Sequence, residues 1–202
     1  MRTRWIQLLS AVAVLAVASS ARAEDGAAAR PFGFTMGIGA GWDLPTALDD
    51  INTTSVRFRL GNGLTFEPRV ELSSTTNSTE VGPSDTDTKI SGLALVTTAR
   101  MPIMSRGPVD FVALGGIGYE RTSVNPEGAD NTSTDSVLEL VWGLSVEYWF
   151  GPRWNLSFTA TNPFVSRVSS VDEGPIDDTT TTSTSFGAVF DPNVVVMIHL
   201  FY

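Results

Sequence analysis

Strict alternation of apolar residues with small or polar ones is the feature that most constrains how this chain folds. In the segment FGFTMGIGAGW, which starts at Phe32 and ends at Trp42, apolar residues alternate with Gly or Thr throughout. A period of two is typical of a β-strand, because successive side chains of a strand point to opposite faces. The same alternation recurs in LELVWGLSVEYWF and in WNLSFTA. The pattern therefore predicts an all-β protein.

The alternating segments and the turn residues between them predict eight antiparallel strands. These are residues 32–42, 53–60, 64–73, 88–100, 109–120, 136–150, 154–162 and 184–202. Long polar connections alternate with short turns such as Gly61-Asn62-Gly63 and Gly151-Pro152-Arg153. In the strand at 88–100 neither face is cleanly apolar, so its facing stays open and we expect a bulge or irregularity there. The loop pattern predicts an up-and-down barrel with both termini at the short-turn end.

The two faces of these strands favour a barrel in a membrane. One face carries large apolar side chains, whereas the other carries Gly, Thr, Ser and charged residues. A soluble lipocalin-like barrel would instead place its apolar face inside. Turning a basic side chain to lipid costs about 2 to 4 kcal/mol at the bilayer midplane, and eight strands enclose a lumen that side chains just fill. We therefore predict a lumen charge network formed by Arg57, Arg59, Glu67, Arg69, Glu71, Glu139 and Glu147.

The first short turn predicts pairing within this network. A three-residue hairpin loop at Gly61-Asn62-Gly63 places Phe58 opposite Phe66 and Arg57 opposite Glu67, with Arg59 diagonal to Glu67.

Three glycines and one proline carry further expectations. Gly37, Gly39 and Gly41 alternate onto the lumen face, where we expect them to make room for arginine side chains. The runs GIGAG and GGIG superficially suggest nucleotide-binding loops, but no predicted helix follows either. Pro68 lacks the N–H that a strand ladder needs, so we expect a local break or bulge beside it.

The N-terminal segment has the pattern of a secretory signal peptide. Arg2 and Arg4 precede a largely apolar stretch, which ends at the small-residue pattern Ala21-Arg22-Ala23. This apolar run is shorter than the roughly 20 residues that a membrane-spanning helix needs. We therefore divide the chain into a signal peptide, residues 1–23, and one barrel domain, residues 24–202. The chain contains no cysteine, so no disulfide stabilises it.

The last strand carries one uninterrupted apolar stripe, formed by Val194, Val196, Ile198, Leu200 and Tyr202. This stripe resembles the C-terminal targeting strand by which the barrel-assembly machinery recognises outer-membrane proteins. With the strand count, the loop pattern and the signal peptide, the chain resembles the small eight-stranded outer-membrane β-barrel family typified by the OmpA transmembrane domain and OmpX. The resemblance implies an integral protein of the outer membrane of a Gram-negative bacterium. Its implied partners are outer-membrane lipids, lipopolysaccharide and, during biogenesis, the barrel-assembly machinery.

The resemblance implies location and fold more strongly than activity, and three functions stay open. The first is a non-enzymatic barrel with a charge-plugged lumen, whose acidic extracellular loops serve surface interaction or envelope integrity. The second is a narrow passive diffusion channel. The third is a lipid A-modifying enzyme, for which His199 is the leading candidate base. Leu200-Phe201 follows His199, so the His-x-Ser motif of the lipid A deacylases is absent.

The acidic long loops raise the hypothesis of divalent-cation binding. They include Asp49, Asp50, Glu127 and Asp130. No spacing among the loop acids matches a calcium loop, and a solvated Thr- and Ser-rich surface explains them better. We therefore expect no bound metal, no cofactor and no nucleic-acid partner.

Overall fold

The computed structural model describes residues 30–31, 33–44, 51–81, 84–126, 132–173, 177–187 and 192–202. The predicted signal peptide lies outside the described residues, as do Asp49, Asp50, Glu127 and Asp130. Among the described residues, no helix is both long and apolar enough to cross a membrane. The strands are β1 (Thr35–Leu44), β2 (Thr53–Arg59), β3 (Thr65–Val81), β4 (Ser84–Arg106), β5 (Val109–Pro126), β6 (Ser133–Trp149), β7 (Trp154–Asp172), β8 (Thr179–Phe186) and β9 (Asn193–Phe201).

These nine strands form one antiparallel sheet that closes into a ring of eight. Each strand from β1 to β7 pairs with the next along the chain, β7 also pairs with β9, and β9 pairs with β1. The strand β8 lies outside the ring and pairs with β7. The ring confirms the predicted eight-stranded antiparallel up-and-down barrel.

The prediction of a single last strand at 184–202 is wrong. The outer half of β7 pairs with β8, up to Val165 opposite Phe186, whereas its inner half pairs with β9, starting at Thr161 opposite Asn193. Gly187 has a φ of +145°, which other residues rarely adopt. Pro192 has no N–H for a ladder. Gly187 directly follows the end of β8, and Pro192 directly precedes the start of β9.

Several predicted long loops are strand extensions instead. The ladder between β3 and β4 continues to Val81 opposite Ser84, and the ladder between β5 and β6 continues to Val124 opposite Ser133. These segments are rich in Thr, whose β-branched side chain favours extended backbone. As a result β3 to β8 extend beyond the end of β1 at Leu44.

Burial is inverted relative to a soluble protein. Among the described residues, six buried side chains are hydrophobic whereas eighteen are polar or charged. Large apolar side chains lie on the outer surface, including Phe34, Ile38 and Leu144, which are each more than half exposed. Soluble proteins bury apolar residues, so this arrangement fits a barrel whose outer face contacts lipid and whose lumen is polar.

Of two expected local irregularities, the one in β4 lies elsewhere and the one beside Pro68 is present. In β4, Thr98 and Arg100 are buried and Met101 is exposed, which settles the facing of the strand at 88–100. Its register shift lies beyond that range, between Pro102 and Met104, because Pro102 cannot donate to the ladder. Beside Pro68 the pairing between β2 and β3 is interrupted, but the register is the same on both sides. The predicted break is therefore present there without a bulge.

Candidate functional site

Four charged side chains cross the inner half of the lumen and form a closed cluster. Arg57 Nε lies 3.1 Å from Glu67 Oε1, and Arg57 Nη1 lies 3.3 Å from Glu147 Oε1. Arg100 Nη1 lies 2.8 Å from Glu67 Oε2, and Arg100 Nη2 lies 2.9 Å from Glu147 Oε1. Each of the four residues is at most 5% exposed. Each arginine therefore contacts both carboxylates, and the cluster joins β2, β3, β4 and β6. We call it the central cluster.

Neutral side chains from the opposite wall add hydrogen bonds to the two arginines. Arg57 donates to Asn155 Oδ1 at 2.9 Å and to Ser157 Oγ at 3.0 Å. Arg100 donates to Ser145 Oγ at 2.8 Å and to Thr159 Oγ1 at 3.1 Å. Burying charges costs free energy unless their remaining donors are also paired. These contacts from β6 and β7 meet that requirement for the donors that they reach, whereas Arg57 Nε has an ion-pair contact with Glu67 but no hydrogen bond.

His199 lies at the edge of the central cluster, where Ser55 and Glu67 contact the same nitrogen of its ring. Its Nε2 lies 2.8 Å from Ser55 Oγ and 3.2 Å from Glu67 Oε1, and Ser55 Oγ donates to Glu67 at 2.9 Å. In a hydrolase triad, the serine and the carboxylate contact different ring nitrogens, so that a proton moves between them. Here both contact Nε2, and His199 is fully buried. Ser55, His199 and Glu67 therefore do not have the geometry of a hydrolase triad.

Gly37 and Gly39 make room for rings and not for arginines, contrary to the expectation, and Gly41 makes room for the β9 chain at Val196 and Met197. A Cβ on Gly39 would lie 2.3 Å from the ring of His199, and a Cβ on Gly37 would lie 2.9 Å from the ring of Phe201. Both rings belong to β9, directly opposite these glycines in the ladder. The small residues of β1 thus determine how close the β9 rings come to the barrel wall.

Aromatic side chains form a floor beneath the central cluster, at the short-turn end. Trp149 and Phe201 are at most 2% exposed, and their ring centroids lie 5.1 Å apart. The guanidinium of Arg59 lies 5.3 Å from the centre of the Trp149 ring, a cation–π geometry. Asp110 accepts a hydrogen bond from Trp149 Nε1 at 3.0 Å and pairs with Arg30 at 2.8 Å. This floor fills the end of the lumen.

The outer half of the lumen is open by comparison. It contains a cavity of about 580 Å³. Arg69 Nε pairs with Glu71 Oε1 at 2.8 Å on the wall of this cavity. Glu120 and Glu139 also line it. We call it the outer cavity.

The seven charges predicted for the lumen therefore fall into three groups. Arg57, Glu67 and Glu147 belong to the central cluster, Arg59 lies on the floor, and Arg69, Glu71 and Glu139 line the outer cavity. The sequence analysis missed Arg100, because it left the facing of that strand open. It also missed Asp110. The register shift between Pro102 and Met104 lies between Arg100 and the turn, so alternation counted back from the turn would have placed Arg100 on the wrong face.

Comparison with known proteins identifies the family. The sequence profile described as "Outer membrane protein beta-barrel domain" matches residues 9–190. The chain belongs to this family. It is therefore an outer-membrane β-barrel protein, as the resemblance implied.

No curated protein matches the sequence. Among solved structures, the chain is similar to a major outer membrane protein from Thermus thermophilus, with 16% identity and a TM-score of 0.43 over 84% of this chain and 97% of that one. It is also similar to Ail, the attachment invasion locus protein of Yersinia pestis, in complex with the heparin analogue sucrose octasulfate. That match has 11% identity and a TM-score of 0.42 over 85% of this chain and 100% of Ail.

Proposed function

We propose that this outer-membrane β-barrel protein is a non-enzymatic barrel with a charge-plugged lumen. In this proposal its outer strands and acidic loops serve surface interaction or envelope integrity. The central cluster is the observation that carries the proposal. Glu67 contacts Arg57 and Arg100 on the two neighbouring strands, Glu147 contacts both from across the lumen, all within 3.3 Å, and all four side chains are buried. Such a cluster leaves little room for a continuous water column.

The outer cavity is the observation that favours the second candidate, a narrow diffusion channel. Its volume of about 580 Å³ is enough for many water molecules. The central cluster and the aromatic floor occupy the rest of the lumen below it. A channel would require both to move, whereas a plugged barrel requires neither to move. We therefore favour the plugged barrel.

Conductance of the full chain, refolded into a planar lipid bilayer, tests the proposal. We expect no steady conductance from the wild type. The double variant Glu67→Gln, Glu147→Gln removes both carboxylates of the central cluster, so conductance should rise. Glu71→Gln is the matched control, since Glu71 lines the outer cavity, and it should leave conductance unchanged. Heat-modifiable migration on gels checks that each variant is a folded barrel.

A large, steady and ion-selective conductance from the wild type would contradict the plugged barrel and establish the channel. Folded double variants that conduct no better than the wild type would show that the central cluster does not close the lumen.

We also propose that the stripe on β9 directs assembly in the outer membrane, after export and removal of the signal peptide, residues 1–23. Tyr202 and Ile198 are 70% and 41% exposed, whereas Phe201 and His199 between them are buried. The stripe is thus presented outward, where lipids, lipopolysaccharide and the assembly machinery would contact it. Exposed residues of β9 can therefore be changed to test targeting, and buried residues of β9 can be changed to test packing of the barrel.

Two single variants make that separation. Tyr202→Ala should lower the yield of folded barrel in the outer membrane, while the stability of protein refolded in vitro changes little. Phe201→Ala removes a floor ring and should destabilise the refolded barrel by about 3 to 5 kcal/mol. Normal outer-membrane yield for Tyr202→Ala would place the targeting signal elsewhere.

A further inference from the structure

The strand β8 has one edge without a partner among the described residues. It pairs with β7 over all eight of its residues and is the terminal strand of the sheet. All eight residues are exposed. In an antiparallel ladder, alternate residues direct their backbone N–H and C=O groups toward one neighbour, and the others direct theirs to the opposite side. About half of the backbone groups of β8 therefore point away from β7.

This edge lacks the features that usually protect an edge strand. Natural edges carry Lys, Pro or a bulge, which prevent another strand from adding to them. The sequence of β8, TTTTSTSF, contains no charge and no proline, and its register with β7 is continuous. Thr also favours extended backbone. The edge of β8 is therefore a template on which an extended segment can form backbone hydrogen bonds.

Charge near this edge indicates the kind of segment that fits. At the tip of the β7–β8 hairpin, Asp172, Glu173, Asp177 and Asp178 are all exposed. The nearest base on the hairpin is Arg167, which lies opposite Thr184 toward the other end of β8. A segment added to β8 meets a concentration of negative charge at the tip. Lys or Arg side chains on that segment would be attracted there.

A second copy of the chain in the same membrane fits this edge poorly. Both barrels would have the same orientation relative to the membrane, so two adjacent β8 strands would run in the same direction. Their acidic tips would then lie side by side, and like charges next to each other are destabilising. The charge pattern thus disfavours self-association of neighbouring barrels through β8.

We infer that the free edge of β8 docks an extended, basic segment of a partner protein by β-strand addition. This inference deepens the surface-interaction part of the proposed function, because it names the partner's chemistry and the strand that receives it. It does not depend on whether the lumen conducts, since β8 lies outside the ring.

Peptide binding to the full chain, refolded in lipid nanodiscs, tests the inference. The probe is a fluorescent ten-residue peptide of alternating Lys and Thr, and fluorescence anisotropy reports its binding. One control peptide has Glu in place of Lys, and a second keeps Lys but carries an N-methyl group on every backbone amide, which blocks both of its edges. We expect the Lys peptide to bind at least tenfold more tightly than either control.

Variants of the chain separate the edge from the charge. Asp177→Asn with Asp178→Asn should weaken binding of the Lys peptide several-fold and reduce its dependence on salt. Thr181→Pro and Thr182→Pro change adjacent residues, of which one directs its N–H to β7 and the other to the free edge. The proline at the residue whose N–H points to the free edge should abolish peptide binding, while amide hydrogen exchange shows that the β7–β8 hairpin stays intact. The other proline removes a hydrogen bond to β7 and should disturb the hairpin itself.

Equal binding of the Lys and Glu peptides, or no binding of the Lys peptide, would overturn the inference. Binding that survives both proline variants would do the same. Cross-linking of β8 to β8 between neighbouring barrels would show that a second copy occupies the edge instead. A plugged lumen with no peptide binding would refute this inference alone, whereas a conducting wild type that binds the peptide would refute only the plug.

Discussion

The inner and outer halves of the lumen both contain Arg and Glu, but they hold these residues in different ways. In the inner half, Arg57 on β2 and Arg100 on β4 pair with Glu67 on β3 and Glu147 on β6. In the outer half, Arg69 pairs with Glu71 on its own strand β3. Pairs that cross the lumen join distant strands and occupy its centre. A pair along one strand leaves the centre free, which is where the outer cavity lies.

The residues around the charges explain why the halves differ. The inner half is filled from below by Trp149 and Phe201, and Gly37 lets the Phe201 ring lie against the wall. In the outer half, small residues such as Gly92 and Gly118 line the cavity. Closure of a barrel this size therefore depends on which wall positions carry large side chains, and not only on how many charges face inward.

Removing one carboxylate from each half should give the largest contrast. Glu67→Gln leaves Arg57 and Arg100 buried with one carboxylate between them, which should cost about 3 to 5 kcal/mol of unfolding free energy. Glu71→Gln breaks a single pair on the wall of the outer cavity and should cost less, about 1 kcal/mol. Urea unfolding in lipid vesicles, followed by tryptophan fluorescence, measures both. Equal losses would mean that water reaches the central cluster as freely as the outer cavity.

Adding one methyl group to a lumen glycine in each half should give an intermediate contrast. Gly39→Ala places a Cβ 2.3 Å from the His199 ring and should cost about 1 to 3 kcal/mol through overpacking. Gly118→Ala meets its nearest atom, Cγ2 of Val96, at 3.7 Å, so its effect should stay within about 0.5 kcal/mol. The same unfolding measurement applies, and the NMR signals of His199 should shift only in the first variant. Comparable costs at both glycines would contradict the difference in packing.

The smallest expected effect is the coupling between Arg69 and Glu71. A double-mutant cycle with Arg69→Met and Glu71→Gln should give about 0.2 to 1 kcal/mol, and this energy should decrease in high salt. The matched cycle with Arg57→Met and Glu147→Gln should give a larger energy, within about 0.5 to 3 kcal/mol, that salt changes little. A strong, salt-independent coupling at Arg69 would show that the outer cavity is less hydrated than its volume suggests.

Expectations that depended on a tight turn are the ones that the structure matches most closely. Phe58 lies opposite Phe66, as predicted from the loop at Gly61-Asn62-Gly63. Gly63 adopts a φ of +88° and donates to Leu60 O at 2.9 Å, which closes the turn. A short hairpin loop sets the register of both strands, so residues near it can be paired from local information alone.

Expectations far from a tight turn were less accurate. The position of Arg100 depends on a register that passes the irregularity between Pro102 and Met104. The last predicted strand is divided because β8 pairs with the outer half of β7 and β9 pairs with its inner half. Neither alternation nor turn composition contains that information, because both outcomes are decided by strands distant in sequence.

The alternation of apolar and polar residues by itself determined that the chain forms strands with one lipid-compatible face and one polar face. The short turns by themselves determined that the two strands joined by each of them are neighbours in the barrel. Only the tertiary structure decided that Arg57, Arg100, Glu67 and Glu147 meet in one cluster, whereas Arg69 and Glu71 pair beside a cavity. The physical reason is that a period of two specifies the face of each side chain, whereas its partner across the lumen depends on the height and tilt at which the whole ring closes.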